Sequence, residues 1–205
     1  VYAALKNAVL VDQRTESLAK KAGLECLYDA RGETARECWE KNRDNLSRNM
    51  VVAMSGKMPY NRDLAVANRA MVYYGVDDLY LDVLRWQHPL SPVIGWNSGP
   101  EGEHVGPPSE YGLFNTASDF CSNLPFLSAG ARGSKSEKAR GTDPRSIDFD
   151  AGGSYHAFLM SDGDNMQWTM DGLFTDDFYN SPDEKGFIMN WTSCQGNMSQ
   201  AAPAV

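Results

Sequence analysis

Short apolar runs that break off at a polar or aromatic residue recur along this chain, and they limit what it can fold into. Residues 8–11 stop at Asp12, residues 24–28 at Asp29 and residues 50–54 at Ser55. Residues 92–95 stop at Trp96, residues 113–118 at Asp119, residues 157–160 just before Asp162 and Asp164, and residues 186–190 at Trp191. Runs of this length suit strands, and helix-forming stretches lie between many of them. Strand, polar loop and helix in alternation predict an α/β fold with mostly parallel strands, as an open sheet or part of a barrel.

The intervening stretches carry their own signals. Residues 15–22 are helix formers, and Gly23 stands where a helix would end. Thr34 and Glu37 form a capping box, which predicts a helix running to about residue 46. Residues 61–74 read as a helix with Leu64, Ala67, Met71 and Val72 on one face, and residues 77–87 as another with Leu79, Tyr80, Val83 and Leu84 inward. Residues 97–112, with four glycines and three prolines, read as a long polar loop holding Glu101, Glu103, His104 and Glu110. Residues 120–127 look apolar and irregular. Residues 129–153 read as an exposed insertion, its basic run interleaved with acids. The expected division is residues 1–55, the end of one α/β unit, and 56–205, the start of another.

Composition narrows the partners. The 205 residues carry a net charge of −8, so nucleic acid, which needs a basic face, is excluded. No run approaches the roughly 18 apolar residues of a membrane span. The four cysteines, Cys26, Cys38, Cys121 and Cys194, have no zinc-like spacing and read as small core residues. Val1 starts almost directly in a strand and residues 201–205 stop without a cap, so the chain reads as a piece of a longer one.

The chemistry gathers around residues 155–165. If the strand persists, Asp162 and Asp164 are i, i+2 neighbours on one side, with Cα atoms roughly 6.5–7 Å apart. Two like charges that close call for a proton, a cation or a substrate between them. The alternative is an Asp-Gly turn. Glu103 and Asp119 are further acids at loop positions. Trp96, Trp168 and Trp191 are candidate stacking surfaces, and Asn165 a candidate hydrogen-bonding residue. His88, His104 and His156 lack metal-ligand spacing and read as structural.

Several stretches together resemble the GxGYxYP family of bacterial glycoside hydrolases. They are residues 10–16, 22–25 and 29–32, then Arg62-Asp63, Gly95-Trp96, Ser118-Asp119, Asn123-Leu124, and above all Ser161-Asp162-Gly163-Asp164-Asn165 with Trp168. The resemblance implies that residues up to about 55 end the family's N-terminal α/β region. The rest then begins its C-terminal domain, an incomplete TIM-barrel-like unit. It implies a carbohydrate substrate and a secreted, periplasmic or cell-surface location. The motif that names the family is absent, which implies a further C-terminal part of the polypeptide as partner.

Glycoside hydrolysis usually needs two carboxyl groups, about 5–5.5 Å or 6.5–9.5 Å apart. Asp162 or Asp164 with Glu103 is the expected pair. Trp96, Asn165, Trp168, Asp119 and Trp191 are the expected substrate contacts. No cofactor is called for. A divalent cation between Asp162 and Asp164 belongs to one alternative, a phosphoryl-transfer-like hydrolase. A non-catalytic glycan-binding protein is the other.

Overall fold

The structure, a computed structural model, describes residues 1–55, 60–97, 99–118, 121–130, 141–161, 163, 165–166, 168–173, 175, 177–178 and 189–192. Its centre is a four-stranded parallel sheet of β1 (Val51–Ala53), β2 (Met71–Tyr73), β3 (Pro92–Gly95) and β4 (Phe114–Thr116), ordered β2-β1-β3-β4. Successive strand residues point to opposite faces. Val52 and Ile94 therefore join Leu64, Ala65, Cys121, Leu124 and Met166 in one core. Val51, Ala53 and Val93 join Trp39, Leu79, Tyr80, Val83 and Leu84 in the other. Both faces are covered, so β1 and β3 read as unbroken apolar runs.

Seven α-helices are described: α1 (Tyr2–Lys6), α2 (Glu16–Lys21), α3 (Ala35–Asn42), α4 (Arg62–Asn68), α5 (Asp78–Trp86), α6 (Glu101–Glu110) and α7 (Leu124–Gly130). Buried residues of α4 and α7 cover one face of the sheet, those of α3 and α5 the other. The capping box of α3 is present. Thr34 Oγ1 accepts the Glu37 N–H at 3.2 Å, and the Glu37 carboxylate accepts the Thr34 N–H at 2.7 Å. Thr34→Ala is expected to cost about 1 kcal/mol, read as a lowered denaturant midpoint.

Four expectations change. Residues 8–11 and 24–28 form no strand, and Val9 and Leu10 are 65% and 68% exposed. A strand needs a neighbour for its backbone groups, and no described strand lies beside them. The helix expected over 61–74 ends at Arg69, which is left-handed at φ 52°, and Met71–Tyr73 pairs with β1 instead. Residues 101–110 are helical although Pro107 and Pro108 lie inside α6, where neither can donate an i→i−4 hydrogen bond. Its first turn is closed onto the Pro100 carbonyl by the Glu103 and His104 N–H groups. Residues 124–130 are a helix rather than irregular.

A second parallel pair, β5 (Phe158–Met160) with β6 (Met189–Trp191), carries the central stretch. Residues 158–160 were expected as a buried strand, yet all three are exposed, Leu159 at 65%. A two-stranded ribbon has two open faces, and no described element covers those of β5. Among the described residues the strands make this open sheet and this pair, neither closed into a barrel. The expected division after residue 55 falls immediately past β1, which pairs with β2 and β3 beyond it. No helix among the described residues is long and apolar enough to cross a membrane.

Candidate functional site at the carboxyl edge of the sheet

The chain turns from β1 outward to β2, then returns past β1 to β3 and β4. The direction of winding thus reverses between β1 and β3. In open parallel sheets the crevice outside the strand ends at that reversal is where ligands bind. Gly95 closes β3 there. Its φ is +104°, and a Cβ on it would stand 2.0 Å from the Ala53 carbonyl oxygen. Only glycine lets β3 approach β1 so closely.

Two buried amides lace the strand ends together. Asn61, at the start of α4, donates through Nδ2 to the Ser118 carbonyl at 2.7 Å, just past β4. Asn97, just past β3, donates to the Gly75 carbonyl beyond β2 at 2.9 Å and accepts the Gly99 N–H at 3.1 Å. The Asn61 Oδ1 is buried without a partner. An unpaired buried acceptor costs about 1–3 kcal/mol, and such groups gather where water or ligand is to be met.

Trp96, partly exposed, meets the ring of His104 edge-on, with centroids 4.8 Å apart and planes at 67°. His104 lies on α6 and is wholly buried. Burial pushes its pKa down, the Gly95 backbone opposing, and neither ring nitrogen has a partner of hydrogen-bonding geometry. Its neighbour Glu103 is exposed on the first turn of α6. No hydrogen bond or ion pair among the described residues links Glu103 to residues 161–166.

The segment after β5 reaches this same edge. Met166 is wholly buried in the core with Ile94 and Leu124, and its N–H donates to the Ala117 carbonyl at 2.9 Å. Met166 is therefore tied to the end of β4, next to Ser118. Gly163 is buried, and its N–H donates to Thr192 Oγ1 at 3.2 Å. Asn165 is partly buried, with its Oδ1 unpartnered. Asp162, Asp164 and Asp119 lie outside the described residues.

Trp168 and Trp191 are brought together, through a residue that sequence reasoning missed. The Phe178 ring stands edge-on to Trp168 at 5.9 Å and edge-on to Trp191 at 5.9 Å. Gly172 gives the Trp168 ring its room, since a Cβ there would lie 2.5 Å from Cε3. Asn61, Asn97 and Phe178 carried no local signal. Among the described residues no cluster of three or more His, Cys, Asp or Glu side chains could hold a metal. Among the described residues this edge carries amide groups at Asn61, Asn97 and Asn165 and the partly exposed ring of Trp96.

Residues 48–129 match the GxGYxYP third domain, so the family resemblance holds over that span. A crystal structure from Bacteroides thetaiotaomicron VPI-5482, described as a hydrolase by inference only, shares the fold. Its TM-score is 0.76 at 22% identity, over 99% of this chain and 40% of that one. This chain therefore spans about two fifths of the neighbour's length. No curated protein matches it.

Proposed function

We propose that this GxGYxYP-type chain forms part of a hydrolase acting on glycans, with the 161–166 loop as its catalytic element. The observation that carries the reading is the anchoring of that loop. Met166 is buried in the core and its N–H is bonded to the Ala117 carbonyl, which supports placing the loop at the carboxyl edge of the parallel sheet. That edge is where such sheets keep their chemistry. Asp162 or Asp164 supplies one carboxyl group and Glu103 the other. Asn165 and Asp119 bind hydroxyls, and Trp96, Trp168 and Trp191 offer ring faces to the sugar. The substrate is carbohydrate, and a further C-terminal part of the polypeptide completes the site. The enzyme works outside the cytoplasm and needs no cofactor.

The test is a screen of the longer polypeptide against polysaccharides and p-nitrophenyl glycosides, beside Asp162→Asn and Asp164→Asn. Hydrolysis is expected to fall about 100-fold or more in at least one variant whose circular dichroism is unchanged, the usual scale for losing an acid or base. Undiminished turnover in both variants removes these acids from the chemistry. Loss of turnover on adding EDTA moves the assignment to a metal-dependent hydrolase. One observation favours a second reading, glycan binding without catalysis: Glu103 is exposed, and no hydrogen bond or ion pair links it to the described residues of the loop. Binding without turnover would establish it.

A further inference from the structure

His104 is the residue of this edge that the proposed chemistry leaves unused. It is wholly buried although Glu101, Gly102 and Glu103 beside it are exposed. The Gly95 backbone is a polar neighbour of the imidazole, but neither ring nitrogen meets it with full hydrogen-bonding geometry, so polar contact alone holds the ring there weakly. Among the described residues, the aromatic contact it makes is with Trp96, edge to ring at 4.8 Å and 67°. That is the favoured geometry for an aromatic pair, one ring's positive edge against the other's negative face. Trp96 in turn follows Gly95 directly, at the reversal between β1 and β3, and is partly exposed. Its backbone is fixed by the close approach of Gly95 to Ala53. What remains to be set is the orientation of the indole.

We propose that His104 is a positioning residue that holds the Trp96 indole in one orientation at the mouth of the crevice. The idea that this indole then receives a sugar ring rests on the glycan reading above. The orientation itself does not. An indole free to rotate about its side-chain torsions loses ordering entropy each time a ligand stacks on it, whereas one already fixed does not. His104 therefore acts on ligand affinity through Trp96 and touches no reacting atom.

The test uses the longer polypeptide labelled with 5-fluorotryptophan, the Trp96 resonance being assigned by its loss in Trp96→Phe. Two apolar replacements are compared. His104→Phe keeps a ring edge, and His104→Leu fills the space without one. A single sharp Trp96 resonance is expected in the native protein and in His104→Phe, with a broadened or split one in His104→Leu. With the p-nitrophenyl glycosides of glucose, galactose, xylose and mannose, His104→Leu is expected to raise KM about tenfold with kcat within twofold, and His104→Phe to restore KM. A single sharp resonance in folded His104→Leu overturns the proposal, as does a loss confined to kcat. If the native protein hydrolyses none of the four glycosides, the glycan reading is the one that fails, and the fluorine spectra still decide the role of His104.

Discussion

Gly95→Ala is expected to cost about 4 kcal/mol or more, at the far end of what single substitutions do. The added Cβ would meet the Ala53 carbonyl oxygen at 2.0 Å and its carbon at 3.2 Å. Both are backbone atoms of a central strand in register with β3, so no side chain can swing aside. Asn61 Nδ2 stands 3.2 Å off on the same side, and it already holds the Ser118 carbonyl. Relief therefore requires β1 and β3 to part at their carboxyl ends, or α4 to shift its start. The φ of +104° adds backbone strain of its own. Gly75→Ala and Gly112→Ala are the controls. Their φ values are +94° and +72°, yet nothing lies within 4 Å of the added Cβ, so only the backbone penalty of about 1–2 kcal/mol applies. Denaturant titration of the three variants checks the ordering. A midpoint for Gly95→Ala no lower than that of its controls would mean that the two strands yield easily there.

The same contrast between local and distant causes explains what could be read from the sequence. The runs at β1, β3 and β4 and the capping box of α3 were legible because each signal lies within a few residues. The parallel α/β class followed from their alternation. β2 was not legible: Met71 and Val72 fit the helical spacing of Leu64 as well as they fit a strand, and the neighbouring β1 decides. Residues 8–11 and 24–28 failed the opposite way, with strand composition but no strand beside them among the described residues. In α6 the glycines and prolines spoke for a loop, while the closure of its first turn on Pro100 speaks for a helix.

The candidate site divides along the same line. That polar and aromatic residues gather at strand ends was visible: Trp96 directly follows β3, and Asn165 directly precedes the buried Met166. Asn61 and Asn97 were not visible, because a short amide beside a loop looks like any turn former. Their role comes from carbonyls 57 and 22 residues away. His104 read as structural, and nothing in its neighbours told that its ring would face Trp96. Met166 was only another apolar residue in the sequence, and its burial in one core with Ile94 and Leu124 comes from packing that no local signal announces.

Gly163→Ala should separate function from stability, because it strains the loop and not the sheet. A Cβ there would lie 1.8 Å from the Thr192 carbonyl oxygen and 2.7 Å from its carbon. Thr192 is a clamp: its N–H and its hydroxyl both donate to the Met160 carbonyl at 3.0 Å, and its Oγ1 accepts the Gly163 N–H. An alanine pushes the loop off this clamp and unpairs the ends of β5 and β6. Those two strands are exposed or only partly buried, with Phe158 at 52% and Leu159 at 65%, so little apolar burial is lost. Global stability is expected to drop by less than about 1 kcal/mol, since the opening stays local. On the glycan-hydrolase reading proposed above, hydrolysis of a glycoside found by the screen is expected to fall about 100-fold, because a shift of about 1 Å in a catalytic group costs that much. Faster hydrogen exchange over residues 158–163 and 189–192, with the four-stranded sheet unchanged, locates the cause. Thr192→Val keeps the shape but removes the hydroxyl, and it should give a smaller loss, about tenfold. Full activity in Gly163→Ala, with exchange in the loop visibly raised, would mean that the acids beside Gly163 do not need a fixed position, and a catalytic role for them would then have little physical support.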